Sequence, residues 1–244
     1  MSLVPLLAPD PQHGRADEVV RRITEAIHLG LLADGERLPV EVELAAQFGV
    51  APMTVREALA TLREHGLVQT RRGRTGGSFV VHPAGPPVEW LSARLRELSV
   101  SDLRDLVDEH TAVAAQAARL AAERISPVSA RRLFALTDHL GTAQTLGDRI
   151  RADSRFHIEV AVASQSARLT RLEANLQAEV SGLVWLPIGP PVDVEALVAE
   201  HHAIAAAVVG GDAELARRLG EEHVMSNLGR LTALRLEMDK EPAS

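Results

Sequence analysis

Cysteine is absent from the 244 residues. That excludes disulfides, a thiol nucleophile and thiolate metal ligands. Aromatic residues make up only 2% against 46% hydrophobic residues, so a core has to be built from Leu, Val, Ala and Ile. Ala and Leu are the strongest helix formers, whereas strands favour β-branched and aromatic side chains, so a mostly helical chain is expected. Also missing is any apolar run approaching the roughly 18 residues of a membrane span. The opening "MSLVPLLAPDPQHG" has no basic leader and is broken by three prolines. It reads as a flexible tail, residues 1–14, rather than as a signal peptide. These absences describe a soluble cytoplasmic protein.

What is present is unevenly distributed. The net charge is −7, yet residues 15–82 carry nine arginines against nine acids and are neutral. Residues 65–82 hold Arg71, Arg72 and Arg74 and no acid, while 83–244 carry a net −6. A neutral N-terminal part with one basic tip is joined to an acidic remainder. The stretch "HPAGPPVEW" contains three prolines and a glycine, which forbid a continuous helix or a central strand. It marks a linker at 83–88 between a domain at 15–82 and a second at 89–236, followed by a short tail at 237–244.

In the first domain, Val19, Val20, Ile23, Ile27 and Leu31 recur at helical spacing in "ADEVVRRITEAIHLGLL". "VEVELAAQFGV" is a second, shorter helix ending at Gly49. "PMTVREALATLREHGL" is a third, with Pro52 suited to its first turn and Gly66 to its end. "LVQTRR" and "GSFVV" flank the glycine-rich "GRTGG" as a β-hairpin. The second domain reads as seven helices, near 89–97, 101–124, 126–145, 148–163, 166–184, 192–209 and 212–236. Their apolar residues recur every three or four positions, the pattern of a helical bundle. The fold class expected is mainly α: a winged helix-turn-helix followed by an all-α bundle.

In a helix-turn-helix the second helix enters the major groove with its first residues against the bases. That assigns Met53, Thr54 and Arg56 to a DNA face, with Leu59 and Leu62 turned to the core. Arg71, Arg72 and Arg74 on the hairpin suit phosphates or a minor groove, and Gly73, Gly76 and Gly77 permit close backbone approach. The bland alternative is a small helical domain whose hairpin has a solvated charged tip.

The segment "GLLADGERLPVEVELAAQFGVAPMTVREALATLREHGLVQTRRGRTGGSFV" resembles the winged-helix domain of GntR-type bacterial transcription regulators. The matching residues are Gly35, Leu38-Pro39, Glu43-Leu44-Ala45, Val55-Arg56-Glu57-Ala58-Leu59, Gly66-Leu67-Val68 and the glycine-rich wing. The resemblance implies double-stranded operator DNA as a partner. Four positions depart from the pattern. Val40 and Val42 stand where the family usually has Ser and Arg, and Ala51-Pro52 stands where Ser-Arg usually opens the recognition helix. Ala51 cannot cap that helix as Ser would, a loss of about 0.5–2 kcal/mol. The departures imply an unusual operator, weaker binding, or greater reliance on Arg56 and the wing.

The second domain holds six of the ten histidines. Asp153 and His157 are four apart in "DSRFH", so both project from one helical face about one turn apart. His201 and His223 lie on two other expected helices, and facing helices of a bundle are where ligands converge. An Asp–His pair at this spacing is also an ordinary surface pair. Here, however, Phe156, Ile158, Val160 and Val162 surround it, and burying such groups without a partner is costly.

Residues 98–230 resemble, more loosely, the FCD effector domain of the FadR-type branch of GntR regulators. The matching elements are Asp153-Ser-Arg-Phe156-His157, Glu200-His201 followed by Ala203-Ile204, and the histidine after "GDAELARRLGEE". The resemblance implies a divalent metal held by Asp153, His157, His201 and His223, with His202 the competing choice for the third position. Imidazole-rich sites suit zinc, the first expectation, or nickel, with manganese a further alternative. The resemblance also implies a homodimer and a small effector, an organic acid or related metabolite. The effector's own contacts are not assigned: the arginine often present in the early effector helix is missing at Val107 to His110, and Ser166 stands where Asn is frequent. The expected function is a metabolite-responsive repressor. A DNA-binding protein whose bundle only dimerises is the alternative, and a metal-dependent enzyme a weaker one, since no His-Glu-x-x-His, Gly-x-Ser-x-Gly or phosphate-binding glycine loop is present.

Overall fold

A computed structural model describes residues 15–73 and 76–238. Among them are ten helices and one two-stranded antiparallel sheet. The chain divides after Ala84 into two compact units, and the fold is mainly α as the composition requires.

The first unit begins with α1 (Arg15–His28), which buries Val19, Ile23 and Ile27 on one face. Its first turn carries Asp17 and Glu18 and its last turn His28, each sign matching the helix dipole. Helix α2 (Glu41–Phe48) stops at Gly49, whose left-handed φ of 67° lets its N–H return to the Ala45 carbonyl. Helix α3 (Pro52–Glu64) starts on Pro52 and has no side-chain cap, because Ala51 offers no acceptor. Strands β1 (Val68–Arg71) and β2 (Gly77–Val80) pair from Val68 opposite Val80 to Arg71 opposite Gly77. Val68 and Val80 close a core with Ile23, Ile27, Leu44, Phe48, Val55, Leu59 and Leu62.

The second unit contains α4 (Val88–Glu97), α5 (Val100–Arg124), α6 (Pro127–Thr142), α7 (Leu146–Ala163), α8 (Ala167–Val184), α9 (Val194–Val209) and α10 (Ala213–Met238). Side chains of Ser99, Ser126, Thr145, Ser166 and Asp193 each accept a backbone N–H in the first turn of the helix they precede. Such a cap stabilises a helix by about 0.5–2 kcal/mol. Ser166, the departure from the family's frequent Asn, is therefore the cap of α8. Thr145 begins α7 at Leu146, two residues before the start expected from apolar spacing, and α6 correspondingly stops at Thr142, earlier than the expected 145.

Helices α5 and α10 pack against each other along much of their length, α7 packs on α5, α6 and α8, and α9 packs on α5, α6 and α10. Helices α7, α9 and α10 therefore share one interior. The α5–α10 contact is close because its seam is small. A Cβ built on Gly220 would lie 3.3 Å from the Ala118 Cβ and 3.4 Å from the Ala114 carbonyl oxygen. Arg230 of α10 donates to the carbonyls of Val184 (2.7 Å) and Pro190 (3.0 Å), holding the chain that leaves α8.

Two glycines of α10 give a matched test. Replacing Gly220 by Leu overpacks the seam and is expected to cost about 1–3 kcal/mol in urea unfolding. A Cβ on Gly229 meets nothing within 4 Å, so Gly229→Ala is expected to stabilise the helix by about 0.5–1 kcal/mol. Equal effects of the two changes would contradict this packing.

Candidate metal centre and DNA-reading face

The four residues singled out in the second unit come together. One donor atom from each of Asp153, His157, His201 and His223 lies within 4.8 Å of the other three. Helix α7 supplies Asp153 and His157 one turn apart, α9 supplies His201 and α10 supplies His223. The His223 Nε2 is 3.2 Å from the His157 Nε2 and 3.3 Å from the His201 Nε2. The Asp153 Oδ1 is 3.4 Å from the His201 Nε2 and 3.7 Å from the His157 Nε2. Adjacent donors around a first-row metal with bonds of about 2.0–2.1 Å lie about 3.0–3.4 Å apart, so this spacing fits an ion of that size.

The groups behind the donors orient them. The Trp185 indole N–H donates to Asp153 Oδ2 at 3.0 Å, leaving the buried Oδ1 without a hydrogen-bond partner. The Glu200 carboxylate takes the Nδ1 side of His223 at 2.7 Å. That puts a proton on Nδ1 and leaves the Nε2 lone pair facing the cluster, the usual support of a metal-binding imidazole. Asn227 approaches the same Nε2 at 3.0 Å. The His201 ring stacks on Phe156, centroids 4.0 Å apart and planes 11° from parallel. His202, the competing residue, faces away and lies 3.4 Å from Asp138.

Protonation follows the same geometry. Burial alone would raise the Asp153 carboxyl, but the adjacent His157 and His201 imidazoles and the Trp185 hydrogen bond outweigh it and hold the group well below the usual carboxylate range. Burial and the neighbouring His223 push His201 well down, and burial, against the pull of Glu200, pushes His223 down. His157 moves up: burial lowers it, and Asp153 more than compensates. A carboxylate at Asp153 and neutral imidazoles at His201 and His223 are states that ligate metal, whereas His157 has to give up the proton that Asp153 favours. Four buried donors with an orphaned oxygen and three convergent imidazole nitrogens form a set that could hold a metal ion.

Sequence reasoning did not find a second buried pair beside the cluster. His110 of α5 lies 3.0 Å from the Glu173 Oε1 of α8, and Gln177 donates to the same oxygen at 2.9 Å. Burial would raise the Glu173 carboxyl, but His110, His157 and Gln177 pull it down to about 2. The Glu173 Oε2 and His110 Nδ1 have no hydrogen-bond partner. Glu173, His157 and His223 border one narrow cavity, completed by Ala114, Ala117 and Phe156 among others. His110 falls within the stretch where an arginine was missing; Glu200 was noted only as the neighbour of His201, Asn227 stands one turn after His223, and Trp185 carried no spacing signal.

In the first unit, Met53 and Arg56 of α3 are exposed and Thr54 is half-buried. Arg56 is paired: its Nε and Nη2 both donate to Glu41 Oε2, at 3.1 and 2.8 Å. Arg71 and Arg72 are exposed on the wing, with the Arg71 guanidinium 4.3 Å above the Phe79 ring. A Cβ at Gly76 would collide with the Arg71 carbonyl oxygen, so the wing requires glycine there. Arg74 lies outside the described residues.

The chain is similar to known regulators over nearly its whole length. Residues 15–80 match the bacterial regulatory proteins of the gntR family, and residues 105–226 match the FCD domain. It is 44% identical to the HTH-type transcriptional regulator RmpR of Mycobacterium gastri, covering 93% of this chain and 83% of that one. It is 30% identical to the L-lactate dehydrogenase operon regulatory protein of Escherichia coli, covering 86% and 83%. Among solved structures, E. coli McbR/YncC superposes with a TM-score of 0.55 at 20% identity, covering 91% of this chain and 99% of that one, a likeness of fold. These curated relatives are named as regulators, not as enzymes, and no described helix is long and apolar enough to cross a membrane. With a DNA-binding N-terminal unit and an FCD C-terminal unit, the chain belongs to the GntR family of transcription regulators.

Proposed function

We propose that this regulator is a cytoplasmic, homodimeric repressor whose hold on its operator is set by a divalent metal and a small effector in the helical unit. The observation that carries the reading is the convergence of Asp153, His157, His201 and His223 on one point, with the buried Asp153 Oδ1 left without a hydrogen-bond partner. Zinc is the proposed ion, because an imidazole-rich set suits zinc or nickel better than calcium or magnesium; manganese is the remaining alternative. When bound, the metal supplies Lewis-acidic positions to which an anionic group can attach. The protein supplies the rest. Trp185 aims the Asp153 oxygen and Glu200 fixes the His223 tautomer. The cavity bordered by His157, His223 and Glu173 lies beside the centre but, at about 10 Å³, holds no more than a water-sized group, so a small organic acid needs the surrounding helices to move apart. The free Glu173 oxygen would accept a hydroxyl or N–H from such an acid.

The degree of burial favours a second reading, in which the metal only ties α7, α9 and α10 together. In that case no small organic acid alters the operator affinity of the metal-loaded protein. In the unit that reads DNA, Met53, Thr54 and Arg56 are the proposed base-reading side chains. Arg71, Arg72, Arg74 and Gly76 form the proposed phosphate or minor-groove contact.

Purified protein is expected to carry about one divalent ion per chain by elemental analysis. Asp153→Ala and His223→Ala are expected to abolish it, and His202→Ala to leave it unchanged. Retention of full metal content by both site variants would contradict the assignment. Arg56→Ala is expected to weaken binding to a selected operator about tenfold or more at fixed salt, the loss of one good bidentate base contact. Unchanged affinity would remove Arg56 from the reading face.

A further inference from the structure

The N-terminal turns of α2 and α3 expose an apolar surface that the core of the first unit does not use. Val42 is 68% exposed, Met53 57% and Val40 50%, and Ala51 and Pro52 are exposed between them. These residues are brought together by one ion pair. Glu41 accepts both the Nε and the Nη2 of Arg56, which ties the first turn of α2 to α3. Val42 follows Glu41 directly, and Met53 sits three residues before Arg56, on the same helix face. Met53 therefore shares a helix face with Arg56, and Val42 is an exposed apolar residue of the turn that carries its partner Glu41.

The pair also decides which edge of that guanidinium is free. Glu41 takes the Nε–Nη2 side. The Nη1–Nη2 end keeps its outward N–H groups, the fork that matches the O6 and N7 acceptors of guanine. Apolar side chains such as these cannot read base edges by hydrogen bonds. The one apolar group in the major groove is the C5-methyl of thymine. The continuity of the patch with the recognition helix makes the groove its occupant, and the exposed arginines Arg71 and Arg72 of the wing belong to the same unit.

We infer that Met53 and Val42 read thymine 5-methyl groups beside the base pair contacted by Arg56. The inference rests on the DNA-reading assignment proposed above and adds the chemistry that sets operator preference. Where relatives of the usual pattern would place polar or cationic side chains, this chain selects methyl groups.

The experiment starts from duplexes enriched by the full-length protein from a random-sequence pool. Each thymine of the enriched site is then replaced in turn by deoxyuridine, which removes the methyl and keeps every hydrogen-bonding group. Binding is expected to weaken about fourfold per contacted methyl, the factor corresponding to burial of one methyl-sized group, at one or two positions next to a G·C pair. In Met53→Ala or Val42→Ala, whose side chains are exposed, the ratio of thymine to deoxyuridine affinity is expected to fall towards one at the matching position. A ratio near one at every position in the unchanged protein, or a ratio unaltered in both variants, would overturn the inference. Enrichment of no sequence at all would overturn the DNA-reading assignment itself and the inference with it.

Discussion

Four polar donors facing one another inside an apolar bundle are the constraint on which the second unit depends. Helix α7 can place Asp153 and His157 together by spacing alone, but His201 and His223 reach them only if α9 and α10 hold fixed positions. The surrounding side chains, among them Phe156 and Ile158, cannot hydrogen-bond. Burying an unpartnered carboxylate oxygen and three imidazoles against them costs several kcal/mol, on the order of 2–7 for each unsatisfied group in a fully apolar setting. Within the protein this cost is offset in part by Trp185, Glu200, Asn227 and the contacts of the His223 Nε2 with His157 and His201, while the Asp153 Oδ1 and the His201 Nδ1 keep no hydrogen-bond partner. A cation at the centre would offset the remainder and would lock three helices to one point.

The buried His110–Glu173 pair extends this polar interior towards α5 and α8. Its Glu173 Oε2 and His110 Nδ1 are buried without a hydrogen-bond partner. Helix α5 also forms the close seam with α10, which carries His223. The first unit is organised differently, around an apolar core, with the exposed Glu41–Arg56 pair between α2 and α3 and a buried Glu18 paired with Arg21 and Arg22 on α1.

Much of this was legible in the sequence. Helical spacing located all ten helices, and Gly49 and Gly66 marked their ends because only glycine enters the left-handed region without strain. The Asp153–His157 spacing identified one helical turn of the site. What spacing could not supply was the approach of α9 and α10, and the choice of His201 over His202 came from resemblance. The start of α7 was misplaced because a cap, Thr145 with Asp148, sets it, and apolar periodicity is blind to caps. The roles of Trp185, Glu200, Asn227 and the His110–Glu173 pair escaped notice. Trp185, Glu200 and the His110–Glu173 pair act across 20 residues or more of chain, which no local pattern records, and Asn227, one turn after His223, gains its meaning only once His223 is placed in the cluster. Likewise, Val42 looked like a loss from a family pattern until its exposure, shared with Met53, gave it a surface.

The central claim is that one ion is held by three imidazoles and one carboxylate. X-ray absorption at the edge of the metal bound to the purified protein tests it most directly. The account predicts a first shell of nitrogen and oxygen at about 2.0–2.1 Å, with the outer-ring scattering of three histidines, falling to two in His223→Ala if any metal remains. A shell without imidazole scattering, or one unchanged by loss of His223, would contradict it.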